Sequence, residues 1–278
     1  MSSFGTRTQL SIPPVTKSLL ILTVIVFLIT LVTERYLNTK VMMDYLALYK
    51  IQSSLFFPTQ LLTHIFMHAS FGHLFFNMFG LFMFGRILEN IWGGKRMLTF
   101  YLLTGIGAAV IQSGITFFQM QKIINMAEAI TANPSYAVFS EFVNHYLPKG
   151  TNRTSEILSF AQSWFYAPEN TSFAPKAAEY TRMILTYNLD GPMIGASGAI
   201  FGLLAAFAMM FPDVELMVFP IPIPIKAKFF VPFYALIELI FGVAGFSWDN
   251  VAHFAHLGGA LVGVLLVLYW KRKQFNIN

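Results

Sequence analysis

Six stretches of this chain are apolar over nearly the length that carries a helix across a lipid bilayer, about 20 residues. They run over residues 18–33, 71–92, 97–118, 193–211, 229–246 and 251–270. Charged or polar residues close them, among them Lys17 and Glu34-Arg35 around the first and Lys271-Arg272-Lys273 after the last. Backbone placed in hydrocarbon must satisfy every N–H and C=O internally, so such runs fold as helices. Only 11% of the residues are charged and 56% are hydrophobic. A soluble domain carries about 25% charged residues, so lipid has to cover much of this exterior. The expected class is an all-α polytopic membrane protein built as a six-transmembrane-helix bundle.

The runs divide the chain into a short N-terminus (1–17), spans one to three with a first loop (18–118), a polar insert (119–192), spans four to six (193–270) and a tail (271–278). The first run is too long for a signal-peptide core and lacks a small-residue cleavage pattern, so it reads as a span. The first loop carries Leu55-Phe56-Phe57-Pro58, too short to cross and therefore expected in the membrane interface. The insert holds patches with helical spacing: Phe139, Phe142, Val143 and Tyr146, then Ile157, Ala161, Trp164 and Phe165. These are expected to form short amphipathic helices resting on the membrane face or on the rim of the bundle.

The net charge of +5 is no nucleic-acid signature, because the basic residues sit at helix ends rather than in one patch. They report orientation instead. With the N-terminus inside, the inner connections carry Arg7, Lys17, Arg86, Lys95, Arg96, Lys226, Lys228, Lys271, Arg272 and Lys273, and the first outer loop only Arg35, Lys40 and Lys50. Both termini are therefore expected to be cytoplasmic. Cysteine is absent, which excludes disulfides, thiolate metal sites and a cysteine nucleophile.

Two apolar runs contain polar side chains that are costly in lipid. Ser197 stands in Gly195-Ala196-Ser197-Gly198 near the start of the fourth, and His256 in Ala255-His256-Leu257-Gly258-Gly259 inside the sixth. With that orientation, Ser197 lies about one turn and His256 about two from the outer end of the span. Small neighbours allow the two helices to approach until a hydroxyl meets an imidazole, the minimum for a serine nucleophile and its base. His253 shares a face with His256 and competes for the role of base, but the following glycines favour His256. His253 is then expected to line the watered approach. His64 and His145 read as ordinary solvated histidines. No carboxylate is evident to orient His256, since Asp249 lies two turns away near the surface, so a dyad is expected.

A second constellation opens the second span, where His73 and Asn77 are four apart and share a helix face. An amide, an imidazole N–H and the backbone N–H of Ser197 can hold a developing oxyanion, or the pair can simply tie helices together. The presence of a serine and a histidine at matching depth makes the catalytic account the better one.

Taken together, His68, His73 and Asn77 in H-x4-H-x3-N, Phe84-Gly85-Arg86-Ile87-Leu88-Glu89, the G-x-S-G at Gly195 to Gly198 and A-H-x-G-G at Ala255 to Gly259 resemble the rhomboid intramembrane serine proteases. The resemblance covers roughly residues 18–118 and 193–270. It implies a rhomboid-like bundle that cleaves transmembrane segments near the outer face, preferring a small residue before the cut, with Ser197 as nucleophile and His256 as general base. It assigns His73, Asn77 and the Ser197 N–H to the oxyanion hole. It makes His68 a loop-stabilising hydrogen-bonding residue and Glu89 an anchor for the inner end of the second span. Gly195, Gly198, Gly202 and Gly259 become positions of close packing between spans four and six. Phe201 stands where an aromatic, often tyrosine, stacks on the catalytic histidine.

Two further departures matter. Thr59-Gln60 replaces a Trp-Arg pair common before Leu61-Leu62-Thr63, and the insert is far longer than the usual loop. The expected partners are transmembrane protein substrates and the bilayer, with no nucleic acid, no metal and no cofactor. The expected location is a bacterial cell (inner) membrane with the site opening outward. The alternative is a catalytically silent rhomboid-like protein that binds transmembrane segments. A metalloprotease reading fails for want of His-Glu-x-x-His, and an aspartyl protease reading because Asp190, Asp213 and Asp249 all lie at span ends.

Overall fold

The computed structural model describes residues 11–148, 150, 153–218, 221–245 and 251–275. Arg7, Phe246 and Asp249, used in the reading above, lie outside these residues. Two compact units emerge, the first made of residues up to 48, 57–112 and 193 onward, the second of 49–56 and 113–192.

The first unit holds the membrane bundle. Helix α1 (Pro14–Tyr36) buries one stripe, Thr16, Leu19, Thr23, Phe27 and Thr30, and leaves Ile21, Leu22, Ile25, Leu28, Ile29 and Val32 exposed. A spacing of three and four is one helix face, and the bare apolar remainder suits lipid. Its first turn is capped from a distance, because the Glu89 carboxylate accepts from the N–H groups of Val15 (2.9 Å) and Thr16 (2.6 Å) and from Thr16 Oγ1 (2.7 Å). A carboxylate there meets both the orphan donors and the positive end of the helix dipole.

The first loop folds into α2 (Val41–Leu46) and α3 (Gln60–Thr63), the latter continued by a 3-10 turn, His64–Phe66. Gln60 is fully buried and ties the loop to itself, donating to Asp44 O (3.0 Å) and accepting from Phe57 N (3.1 Å). The amide thus anchors the segment in which the expected arginine is missing.

The second span, Phe71–Trp92, consists of α4 (Phe71–Gly80), a π-helical turn at Leu81–Gly85 and α5 (Arg86–Trp92). The third run belongs to α6 (Gly94–Ala132), which does not stop near residue 118 as expected but continues for 39 residues and ends in the second unit. The fourth run is helical only over α10 (Ser197–Met210), 14 residues or about 21 Å at ~1.5 Å per residue. Its interior position explains the brevity, since nearly every side chain from Gly198 to Ala208 is buried. A hairpin of β1 (Glu215–Val218) and β2 (Ile221–Lys226) follows, paired antiparallel with Glu215 opposite Lys226. This hairpin is a small exception within a bundle that is helical as expected. Helix α11 (Ala227–Ala244) carries Pro232 and is stopped by Gly245 in the left-handed conformation. Helix α12 (His253–Phe275) completes the bundle. Among the described residues, five helices are long and apolar enough to cross a membrane, with α10 as the shorter sixth.

Contact between α10 and α12 is set by glycine. A Cβ on Gly259 would collide with the carbonyl of Gly198, and one on Gly263 would come within 2.8 Å of Gly202 O. Both helices therefore present glycines four residues apart, which lets backbone meet backbone. Trp92, Phe100 and Trp270 cluster at 4.9–5.8 Å, with the Arg96 guanidinium over the Trp270 ring. Such an aromatic and basic pairing belongs at a membrane–water interface.

The second unit is helical and has its own core. Helix α6 beyond residue 112, α7 (Tyr136–Tyr146), α8 (Thr154–Phe165) and α9 (Ala174–Leu189) enclose Ile123, Ile130, Phe139, Phe142, Ile157, Trp164, Tyr180 and Ile184. The stripes that needed an apolar surface thus bury against one another, where the membrane face or the bundle rim was expected. Phe165, counted in a stripe, is exposed. Ser53 Oγ donates to Asp190 (2.6 Å) and Lys50 to Gly191 O (3.0 Å), fastening residues 49–56 to this unit.

Candidate active site

The turn before α10 determines where Ser197 points. Gly195 has φ +123°, a conformation only glycine adopts without strain. Its N–H donates to His64 O (3.0 Å), while Met193 and Leu48 exchange backbone hydrogen bonds of 2.9 and 2.7 Å. The segment entering α10 is thereby held on the first loop at two points. A Cβ at Gly195 would lie 2.7 Å from His73 Nε2, so glycine is needed here for space as well. That close approach is to the second span, not to span six as the resemblance implied. Ser197 is the first residue of α10, where the backbone N–H has no partner within the helix and is free for an anion.

His256 lies one turn into α12 and is 9% exposed. Its Nε2 is 2.8 Å from Ser197 Oγ. The ring stacks on Phe201 with centroids 4.3 Å apart and planes 5° from parallel, and Phe201 in turn touches Tyr234 at 5.0 Å.

The opposite nitrogen, His256 Nδ1, is 2.8 Å from Glu238 Oε2. This corrects the expectation that no carboxylate orients the histidine. Glu238 is buried on α11 and receives a second contact, 2.7 Å from His253 Nδ1. An ionised carboxylate only accepts, so both Nδ1 atoms carry protons and donate. His253 therefore pairs with Glu238, where a role lining the approach had been expected. A signal for Glu238 was present: it is the one carboxylate in the middle of an apolar run, and such residues are functional candidates by default.

Two imidazoles and a carboxylate also form a donor set that zinc uses, and their donor atoms lie within 4.8 Å of one another. Here the Nδ1–H groups already point at Glu238, so the cluster satisfies itself by hydrogen bonding.

His73 and Asn77 stand on α4. His73 Nδ1 faces Ala69 N at 3.5 Å, which leaves Nε2 as the protonated nitrogen, beside Gly195. Asn77 is buried and gives one amide hydrogen to His73 O (2.9 Å), keeping a second to offer. His68 is buried edge-on against His73 at 4.9 Å and interacts with the Phe66 backbone, short of good hydrogen-bond geometry. His64 is buried, not solvated, with Nδ1 3.0 Å from Gln60 O, and burial lowers its pKa to about 4. Burial likewise lowers that of His68 to about 4. His145 is exposed.

The Rhomboid domain profile matches residues 58–166 and 156–273. Rhomboid protein 1, mitochondrial, of Saccharomyces cerevisiae is 38% identical over 28% of this chain and 22% of its own length. An uncharacterised mitochondrial rhomboid protein of Schizosaccharomyces pombe is 25% identical over 77% of this chain and 52% of its own. Rhomboid-like protein 11, chloroplastic, of Arabidopsis thaliana is 26% identical over 78% and 53%. The chain thus spans about half or less of the relatives it matches. These relatives are named as mitochondrial or chloroplastic, which overturns the expected bacterial inner membrane, and the cytoplasmic and outer labels lapse with it. With the matched domain covering most of its length, the chain belongs to the rhomboid family.

Proposed function

We propose that the protein is an intramembrane serine endopeptidase that cleaves transmembrane segments, with Ser197 as nucleophile and His256 as general base. The observation that carries this reading is the 2.8 Å contact between Ser197 Oγ and His256 Nε2. Membership of the rhomboid family supports protease-type function in the membrane.

His256 Nε2 takes the Ser197 proton as Oγ attacks the peptide carbonyl. The oxyanion is met by the Ser197 N–H, the His73 Nε2–H and the free Asn77 amide hydrogen. The C–N bond then breaks, and His256 returns its proton to the departing amine. Water repeats the sequence on the acyl-enzyme, releasing the carboxylate product and restoring Ser197. A substrate helix hides its carbonyls in its own hydrogen bonds, so substrates should carry Gly or Pro near the cut, where unwinding costs least.

A fluorophosphonate probe tests the reading. Wild-type protein in detergent should be labelled at Ser197 and should cut a fluorogenic transmembrane segment carrying Gly-Pro, while Ser197→Ala and His256→Ala do neither and stay folded. Cleavage that survives Ser197→Ala would leave the silent binding protein, or another chemistry, as the better account. Activity kept by His256→Ala but lost by His253→Ala would reassign the base.

A further inference from the structure

We infer that Glu238 is a positioning residue for His256, turning the pair into a Ser197–His256–Glu238 triad with His253 as the carboxylate's second anchor. The inference rests on the protease reading above and adds the residue that sets the tautomer of the base.

The two nitrogens of His256 face opposite partners at equal distance: Nε2 is 2.8 Å from Ser197 Oγ, and Nδ1 is 2.8 Å from Glu238 Oε2. Because the carboxylate accepts only, Nδ1 must hold the proton, which leaves Nε2 with the lone pair that a serine proton needs. The other tautomer would present Nε2–H to Ser197 and could not act as base. When His256, itself only 9% exposed, takes the proton it becomes a cation, and the adjacent carboxylate balances that charge.

Three features argue against a merely structural tie. A helix-to-helix hydrogen bond in a membrane can be made by Asn or Gln, without the cost of placing a charge at that depth. Both histidines meet the same oxygen, at 2.7 and 2.8 Å, so His253 gives the carboxylate a second anchor beside the one at His256. Phe201 restrains the plane of the ring but not which nitrogen carries hydrogen, and that choice is left to Glu238.

The test uses the full chain in detergent and the fluorogenic Gly-Pro transmembrane segment. Glu238→Gln keeps the shape, yet its amide can donate to Nδ1 and select the wrong tautomer. It should lower kcat by up to about 10⁴-fold, the loss caused by replacing the carboxylate of a serine-protease triad with an amide, with a much smaller change in KM. Glu238→Asp should restore at least part of the lost rate. The low-field proton resonance of His256 Nδ1–H, identified by its loss in His256→Ala, should be present in wild type and absent in Glu238→Gln. A Glu238→Gln protein with wild-type kcat would overturn the inference. So would a loss of rate that follows the loss of thermal stability while the resonance stays in place. Neither result touches the protease reading, which stands or falls on Ser197→Ala.

Discussion

The ring of Phe201 lies 4.3 Å from that of His256 and only 5° from parallel to it. Stacking holds the plane of the base, while contacts at its two nitrogens hold its rotation within that plane. Phe201→Ala should therefore lower kcat by roughly tenfold or more, since a slightly misplaced catalytic group can cost 10²-fold. Phe201→Tyr should keep the stack and most of the rate. Steady-state kinetics on the fluorogenic substrate, with thermal unfolding as control, separate ring positioning from general loss of packing.

The donors facing the site make a different prediction. Asn77→Ala and His73→Ala should each reduce kcat by roughly 10²–10³ with little change in KM, because an oxyanion exists only in the transition state. If both variants lose stability and activity in equal proportion, the pair serves helix packing instead.

Glycine at the α10–α12 contact carries a stability prediction. Gly259→Ala would drive a methyl group into the carbonyl of Gly198, and backbone cannot rotate aside as a side chain can. Overpacking of this kind costs about 1–3 kcal/mol, and separation of the two helices also parts Ser197 from His256. Gly259→Ala should thus lose probe labelling and thermal stability together. Gly72→Ala, where no atom lies near the added methyl, should not.

Glu89 is far from the chemistry and should behave so. Glu89→Ala removes three acceptor contacts at the start of α1 and should cost on the order of 0.5–2 kcal/mol, as for the loss of a helix cap. The melting temperature should fall while kcat per folded molecule is unchanged. A selective fall in kcat would tie this end of the bundle to the site.

Acid should loosen the first loop through His64. Burial holds its pKa at about 4 in the folded protein, below the ordinary 6.5. Between those values the unfolded chain binds a proton that the folded chain refuses, so stability rises with pH. The full stability is present above about pH 6.5 and is lost as pH falls toward 4, at roughly 1.4 kcal/mol per unit for one group. His64→Gln should show a shallower decline in that window. An unchanged slope would locate the acid sensitivity elsewhere.

Much of the architecture was readable in one dimension. Hydropathy marked the spans because burial in lipid is paid residue by residue along the run, and the spacing of Ser197, His256, His73 and Asn77 from the span ends set their depth. Motifs such as Gly195 to Gly198 were visible because the turn they form is local. Glu238 was not linked to His256 in this way: eighteen residues and a break between helices separate them, and nothing in either run says which faces meet. The rotation of α11 about its axis decides that, and it is set by packing against neighbours rather than by the run's own period. Gly263 was missed for the same reason, since its role appears only when α12 is laid against Gly202. The insert shows the converse, for its apolar stripes were legible, but what they bury against was not. Periodicity gives a helix its buried face; tertiary structure alone chooses the surface that face meets.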